Sequence, residues 1–177
     1  GENLATTALA TGLGLREAAV TREVAYTTAV LPLSAGADAE KQAEELLGRF
    51  DPSLLISIEK IGPSPAGTAH SASGMQTDAS RARAECLFDL GAARGIPSLG
   101  IGDNGNELGF GKILDAVRQH KPRGEVLGTR VATDVLVPAN CSNWGAYGIA
   151  AALAILKGQP DLLHSAADEA RIITACV

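Results

Sequence analysis

The chain has 177 residues and a formal net charge of −5, with 46% hydrophobic, 20% charged and only 3% aromatic residues. The length suits one domain, and the composition excludes a disordered, collagen-like or coiled-coil chain. The acidic balance argues against nucleic acid as a partner, because phosphate binding needs clustered cations.

So few aromatics call for a core of small aliphatic side chains packed closely. The periodicity predicts elements in the following order. Residues 4–15 form a helix, and residues 24–31 form a strand stopped by Pro32. Residues 38–50 form an amphipathic helix with Ala39, Ala43, Leu46, Leu47 and Phe50 on one side. Residues 54–58 form a short buried strand after Asp51-Pro52. A Gly/Pro/Ser/Ala-rich loop over 62–77 is long for a compact domain, as functional lids and mobile segments are. Asp78 caps a helix that runs to Arg94 and ends at Gly95. A strand over 96–101, a helix over 106–120, a strand over 133–137 ended by Pro138, a helix over 143–156 and a last helix over 161–174 complete the chain. Alternation of this kind predicts an α/β fold: a three-layer, mostly parallel sheet with helices on both faces, in a single domain over 1–177.

Cys86, Cys141 and Cys176 are too far apart for a CxxC pair, and an odd, sparse set suits a reducing compartment. The apolar run at 147–156 is about half of the roughly 20 residues a membrane span needs. The expected location is therefore cytoplasmic, or the mitochondrial matrix in a eukaryote, with no membrane partner.

Ligands of an open parallel sheet sit beyond the carboxyl ends of its strands. Three polar or glycine-rich segments each follow a predicted strand. In the first, Glu59 and Lys60 leave the strand together, an acid/base group beside an anion ligand or else an ordinary surface pair. In the second, Gly102, Asp103, Asn104, Gly105, Asn106 and Glu107 join strand to helix. Glycines there admit close approach of a ligand to backbone amides. The run fails the Walker A pattern, since Ile113 follows Lys112. It matches GxGxxG at Gly100, Gly102 and Gly105, but Asp103, Asn104 and Glu107 put bulk and carboxylate charge where a pyrophosphate would lie. A small polar substrate, or a divalent cation such as Mg²⁺ or Mn²⁺ on Asp103 and Glu107, fits better. In the third segment, Asn140, Ser142 and Asn143 are neutral hydrogen-bonding groups, and Trp144 is either a pocket wall or a core or interface anchor. His70, His120 and His164 make no metal-binding spacing, and Arg118, Lys121, Arg123 and Arg130 read as a solvated basic face.

Three segments carry a family resemblance: SIEKIGPSPAG at 57–67, GIPSLGIGDNGNELGFGK at 95–112 and VPANCSNWGAYGIAAAL at 137–153. Over residues 52–158 the chain resembles the D-glutamate cyclase-like C-terminal domain family, with a curtailed N-terminal part. In the loop after the first segment it departs from the family pattern. Ala66 stands at an acidic position and Ser73 at an arginine position. The resemblance implies a lyase that closes D-glutamate, or a related amino acid, to 5-oxo-D-proline with loss of water. The alternative is a non-catalytic module for small carboxylates, or for assembly, on the same scaffold. On the first reading Glu59 and Asp103 transfer protons, with Glu107 as a third carboxylate. Gly102, Asn104, Gly105, Asn106, Ser142 and Asn143 bind substrate, and Lys60 or Lys112 pairs with its carboxylate. The expected partners are a small anionic amino acid and a second copy of the chain.

Overall fold

The computed structural model describes residues 31, 33–78, 81–163 and 165–175. The helix expected over 4–15, and all but the last residue of the strand expected over 24–31, lie outside the described residues. The chain divides into two compact units, Leu33–Ile149 and Gly1–Pro32 with Ala150–Val177.

In the larger unit, helix α1 (Ala39–Phe50) buries Ala39, Ala43 and Leu47, four residues apart on one face. Strands β1 (Leu55–Ile58), β2 (Ser98–Gly102) and β3 (Val135–Pro138) form a parallel sheet in the order β1-β2-β3. The register sets Ser57 beside Gly100 and Gly100 beside Leu136, so the three strands finish level. Helix α2 (Glu85–Ala93) joins β1 to β2. Its Cys86, Leu87 and Leu90 pack with Ala39 and Ala43 of α1, while Phe88 packs with Leu108, Val131 and Leu55. Burying side chains such as Phe88 and Leu108 stabilises by about 1.5–3 kcal/mol each. A Cβ at Gly91 would lie 2.5 Å from Leu55 Cδ1, so this glycine lets α2 rest on the strand. After β2 come a 3₁₀ turn (Gly111–Ile113), helix α3 (Leu114–His120) and a short α4 (Gly124–Leu127). Helix α5 (Ser142–Lys157) follows β3. A Cβ at its Gly145 would lie 2.7 Å from Ile101 Cγ2, which places the first turn of α5 against the sheet.

The parallel α/β arrangement agrees with the alternation of elements in the sequence. Several boundaries differ for tertiary reasons. The helix expected from Asp78 begins at Glu85, because the Asp78 carboxylate accepts the Ala69 amide at 3.0 Å and the Gln76 side chain at 2.9 Å. It closes the loop instead of capping a helix. The helix expected from residue 106 begins only at the 3₁₀ turn. Gly109 is at φ 112, and the amides of Gly109 and Gly111 both donate to Val131 O. The sequence shows no signal for α4. The loop over 62–77 is stitched down: Thr77 donates to Ala69 O, Asn106 Nδ2 to His70 O and Arg123 to Ser73 O.

In the second unit, α5 continues from Ala150, a 3₁₀ turn spans Pro160–Leu162, and helix α6 spans Ala166–Ala175. The helix expected from residue 161 starts later because Ser165 and Asp168 form a reciprocal cap. The Asp168 amide donates to Ser165 Oγ, and the Ser165 amide donates to Asp168 Oδ2. Among the described residues no helix is long and apolar enough to cross a membrane.

Candidate functional site

Level strand ends bring the three polar exits side by side. Glu59 follows β1 directly. Its amide donates to Ile101 O at 3.0 Å, and its φ of 58 lies in the left-handed region, so the chain turns sharply where this carboxylate emerges. Asp103 follows β2 directly. After β3 the Ala139 amide donates to Gly102 O at 3.0 Å, which carries the chain across to Ser142 at the start of α5.

Carboxylate oxygens of Glu59, Asp103 and Glu107 lie within 4.8 Å of one another. Glu59 is exposed, Asp103 is half-buried and Glu107 is only 1% exposed. Ser142 Oγ donates to Glu59 Oε2, and Asn104 Nδ2 donates to Asp103 Oδ1. Glu107 turns back into its own loop and accepts the amides of Asn104 at 3.1 Å and Gly105 at 2.8 Å. Burial pushes the Glu107 carboxyl above the usual carboxylate range. The amide bonds offset part of that rise, and the neighbouring charge of Glu59 adds to it. Two loop glycines are required by this geometry. A Cβ at Gly102 would meet Glu107 Cβ at 2.8 Å, and Gly105 holds φ 96 against Val117.

The remaining residues singled out in the sequence fall in different places. The amides of Asn104 and Gly105 are directed into Glu107 and are not presented to a ligand. Asn106 is buried and ties the 62–77 loop through His70 O. Ser142 is buried beneath Glu59. Asn143 and Trp144 are exposed on the first turn of α5, Trp144 at 64%, so the tryptophan is no core anchor. Lys60 is exposed, and its carbonyl accepts the Leu108 amide. Lys112 lies at the opposite, amino end of the strands. Its Nζ donates to Asp134 O at 2.9 Å, and the Asp134 carboxylate accepts from Ser98, the first residue of β2. Lys121, read from sequence as solvated surface, is half-buried with its ammonium 3.4 Å from Asp103 O. No local pattern marks it, because the path of α3 decides where it arrives.

Three oxyacids of graded exposure thus share one rim, and carboxylates so placed are groups of the kind that can pass protons or ligate a hard cation. Comparison with known proteins adds the lineage. The family model described as D-glutamate cyclase-like, C-terminal, matches residues 5–177. The human protein named D-glutamate cyclase, mitochondrial, is 41% identical over 118 residues, which make up 66% of this chain and 19% of that protein. The chain thus spans about a fifth of the length of that relative, and the aligned stretch is a minority of it. With the family pattern running over nearly the whole sequence, the chain belongs to the D-glutamate cyclase-like C-terminal family.

Proposed function

We propose that this domain is a carbon–oxygen lyase that closes D-glutamate, or a closely related amino acid, to 5-oxo-D-proline with release of water. The observation that carries the reading is the convergence of Glu59, Asp103 and Glu107, and the printed name of the human relative supports it. The amine nitrogen attacks the side-chain carboxyl carbon, a C–N bond forms and a C–O bond breaks. Two protons leave nitrogen and two arrive on the departing oxygen, so the net proton count is zero. Such a reaction needs groups that take a proton at one atom and return it at another a few ångströms away. Glu59 and Asp103 are the accessible carboxylates and serve as that pair. Ser142 orients Glu59. Glu107, held by two amides, shapes the loop and sets the local charge.

The same three carboxylates fit a divalent cation such as Mg²⁺ or Mn²⁺. Bound there, the ion would offset the charge of an anionic substrate. A soluble compartment suits the reaction, the cytoplasm or, following the name of the relative, the mitochondrion.

Asp103→Asn and Glu59→Gln each lower turnover by about a hundredfold or more, measured as ring closure of ¹³C-labelled D-glutamate by NMR. Wild-type rates in either variant remove that residue from the mechanism. Stabilisation by D-glutamate without ring closure points instead to a binding module. Thermal shifts with Mg²⁺ and Mn²⁺, lost in Glu107→Gln, test the cation.

A further inference from the structure

An anionic substrate beside three carboxylates needs a cation, and not every lysine singled out from the sequence is placed to supply one. Lys112 is at the wrong end of the sheet, and Lys60 is exposed, with its carbonyl bonded to the Leu108 amide. A niche of about 230 Å³ opens directly beside Asp103, between α3 and the exit of β3. Its walls are apolar, formed by Phe110, Ile113, Val117 and Pro138, while Asp103, His120 and Lys121 supply its polar groups. The Lys121 ammonium is 3.4 Å from Asp103 O, a long contact to a neutral acceptor. The niche therefore combines methylene-sized apolar walls, a cation and one edge of the acidic rim.

We propose that this niche is the substrate-chain subsite, and that Lys121 is the residue that pairs with the carboxylate distant from the reacting centre. The ligand class is a short aliphatic dicarboxylate. Its methylenes lie on Phe110 and Val117, one carboxylate meets Lys121, and the other end faces Asp103. Lys121 thus sets specificity by binding and takes no part in proton transfer. This rests on the cyclase reading for the identity of the substrate, while its binding consequence stands separately.

The probe is glutarate, which has the carbon chain and both carboxylates but no amine to react. Isothermal titration of glutarate into the protein is compared with Lys121→Met, Lys121→Arg, Ala116→Phe (which fills the niche from the α3 wall) and the control Lys41→Met on the exposed face of α1. Removing a charge-assisted hydrogen bond weakens glutarate binding by about 10-fold to 100-fold in Lys121→Met. Lys121→Arg restores most of it, Ala116→Phe weakens it and Lys41→Met does not change it. In turnover of D-glutamate, Lys121→Met raises KM and leaves kcat near wild type. Lys121-dependent glutarate binding without any ring closure keeps the subsite and removes the cyclase reading. Ring closure that neither Lys121→Met nor Ala116→Phe alters keeps the cyclase reading and overturns the subsite. Wild-type protein that does not bind glutarate overturns the subsite as well.

Discussion

Glu107 sits where three demands meet: it is buried, it receives two amide hydrogen bonds, and it faces another carboxylate. Burial dominates, so the folded protein holds this proton at a pH where the unfolded chain has released it. The sign follows by linkage. Stability falls as pH rises from the ordinary carboxylate range through the raised value of Glu107. Glu107→Gln flattens that decline, which urea midpoints measured against pH will show. Ser142 acts through Glu59. Ser142→Ala removes a donor to a carboxylate, worth about 1.5–3 kcal/mol. We expect kcat to fall by roughly tenfold to a hundredfold with KM little changed, and the melting temperature to drop by about 4–8 °C per kcal/mol of the bond lost. At this scale the sequence was informative where chemistry is intrinsic to the residue type. Glu59, Asp103 and Glu107 were recognisable as acids at strand exits. That the Asn104 and Gly105 amides turn inward was not, since the direction of an amide depends on the folded loop.

At the scale of elements, Gly100 on β2 shows how closely the glycine-rich loop approaches the sheet. A Cβ there would stand 2.4 Å from Leu108 O and 2.8 Å from Gly109 Cα, both backbone atoms that cannot rotate away. Gly100→Ala should destabilise by about 1–3 kcal/mol, read from chemical denaturation. It should also lower turnover, because the displaced loop carries Glu107. The 62–77 loop depends on Arg123, whose guanidinium donates to Ser73 O at 2.8 Å. Arg123→Ala should speed protease cleavage within 71–76 and leave the cleavage pattern elsewhere unchanged. Strands and helices were readable because their burial is periodic: Ala39, Ala43 and Leu47 recur on one face of α1. Their ends were less so. Asp78 looks like a cap until Ala69 and Gln76 are seen to claim its carboxylate.

For the larger unit as a whole, a buried ionic network ties the approach to α2. Burial alone would raise the Glu85 carboxyl, but hydrogen bonds from Arg81 and Arg83 overcome it and hold it below the usual range. Arg81 Nη1 lies 2.6 Å from Glu85, with side chains only 12% and 3% exposed. Glu85→Ala removes the nearer carboxylate partner of Arg81, leaving it Asp78 at 3.6 Å, and should cost up to about 3–5 kcal/mol, measured by denaturant titration. A lowered value carries the opposite sign to Glu107. The contribution of Glu85 is present above the ordinary carboxylate range and is lost as pH falls through its folded value. These two groups therefore place their joint optimum near the ordinary carboxylate range, with loss on both sides.

Among the described residues, the alternation of strands with helices, the parallel α/β class and the three polar strand exits followed from the sequence, because periodicity, turn residues and the rule for parallel sheets act locally or on whole topologies. The folded structure decided which groups meet. Sheet register levelled the strand ends so that Glu59 reached Asp103 and Ser142 reached Glu59. The path of α3 carried Lys121 to Asp103, while Lys112 was held at the other end of the strands. Such encounters join residues far apart along the chain, and no local preference encodes the distance between them.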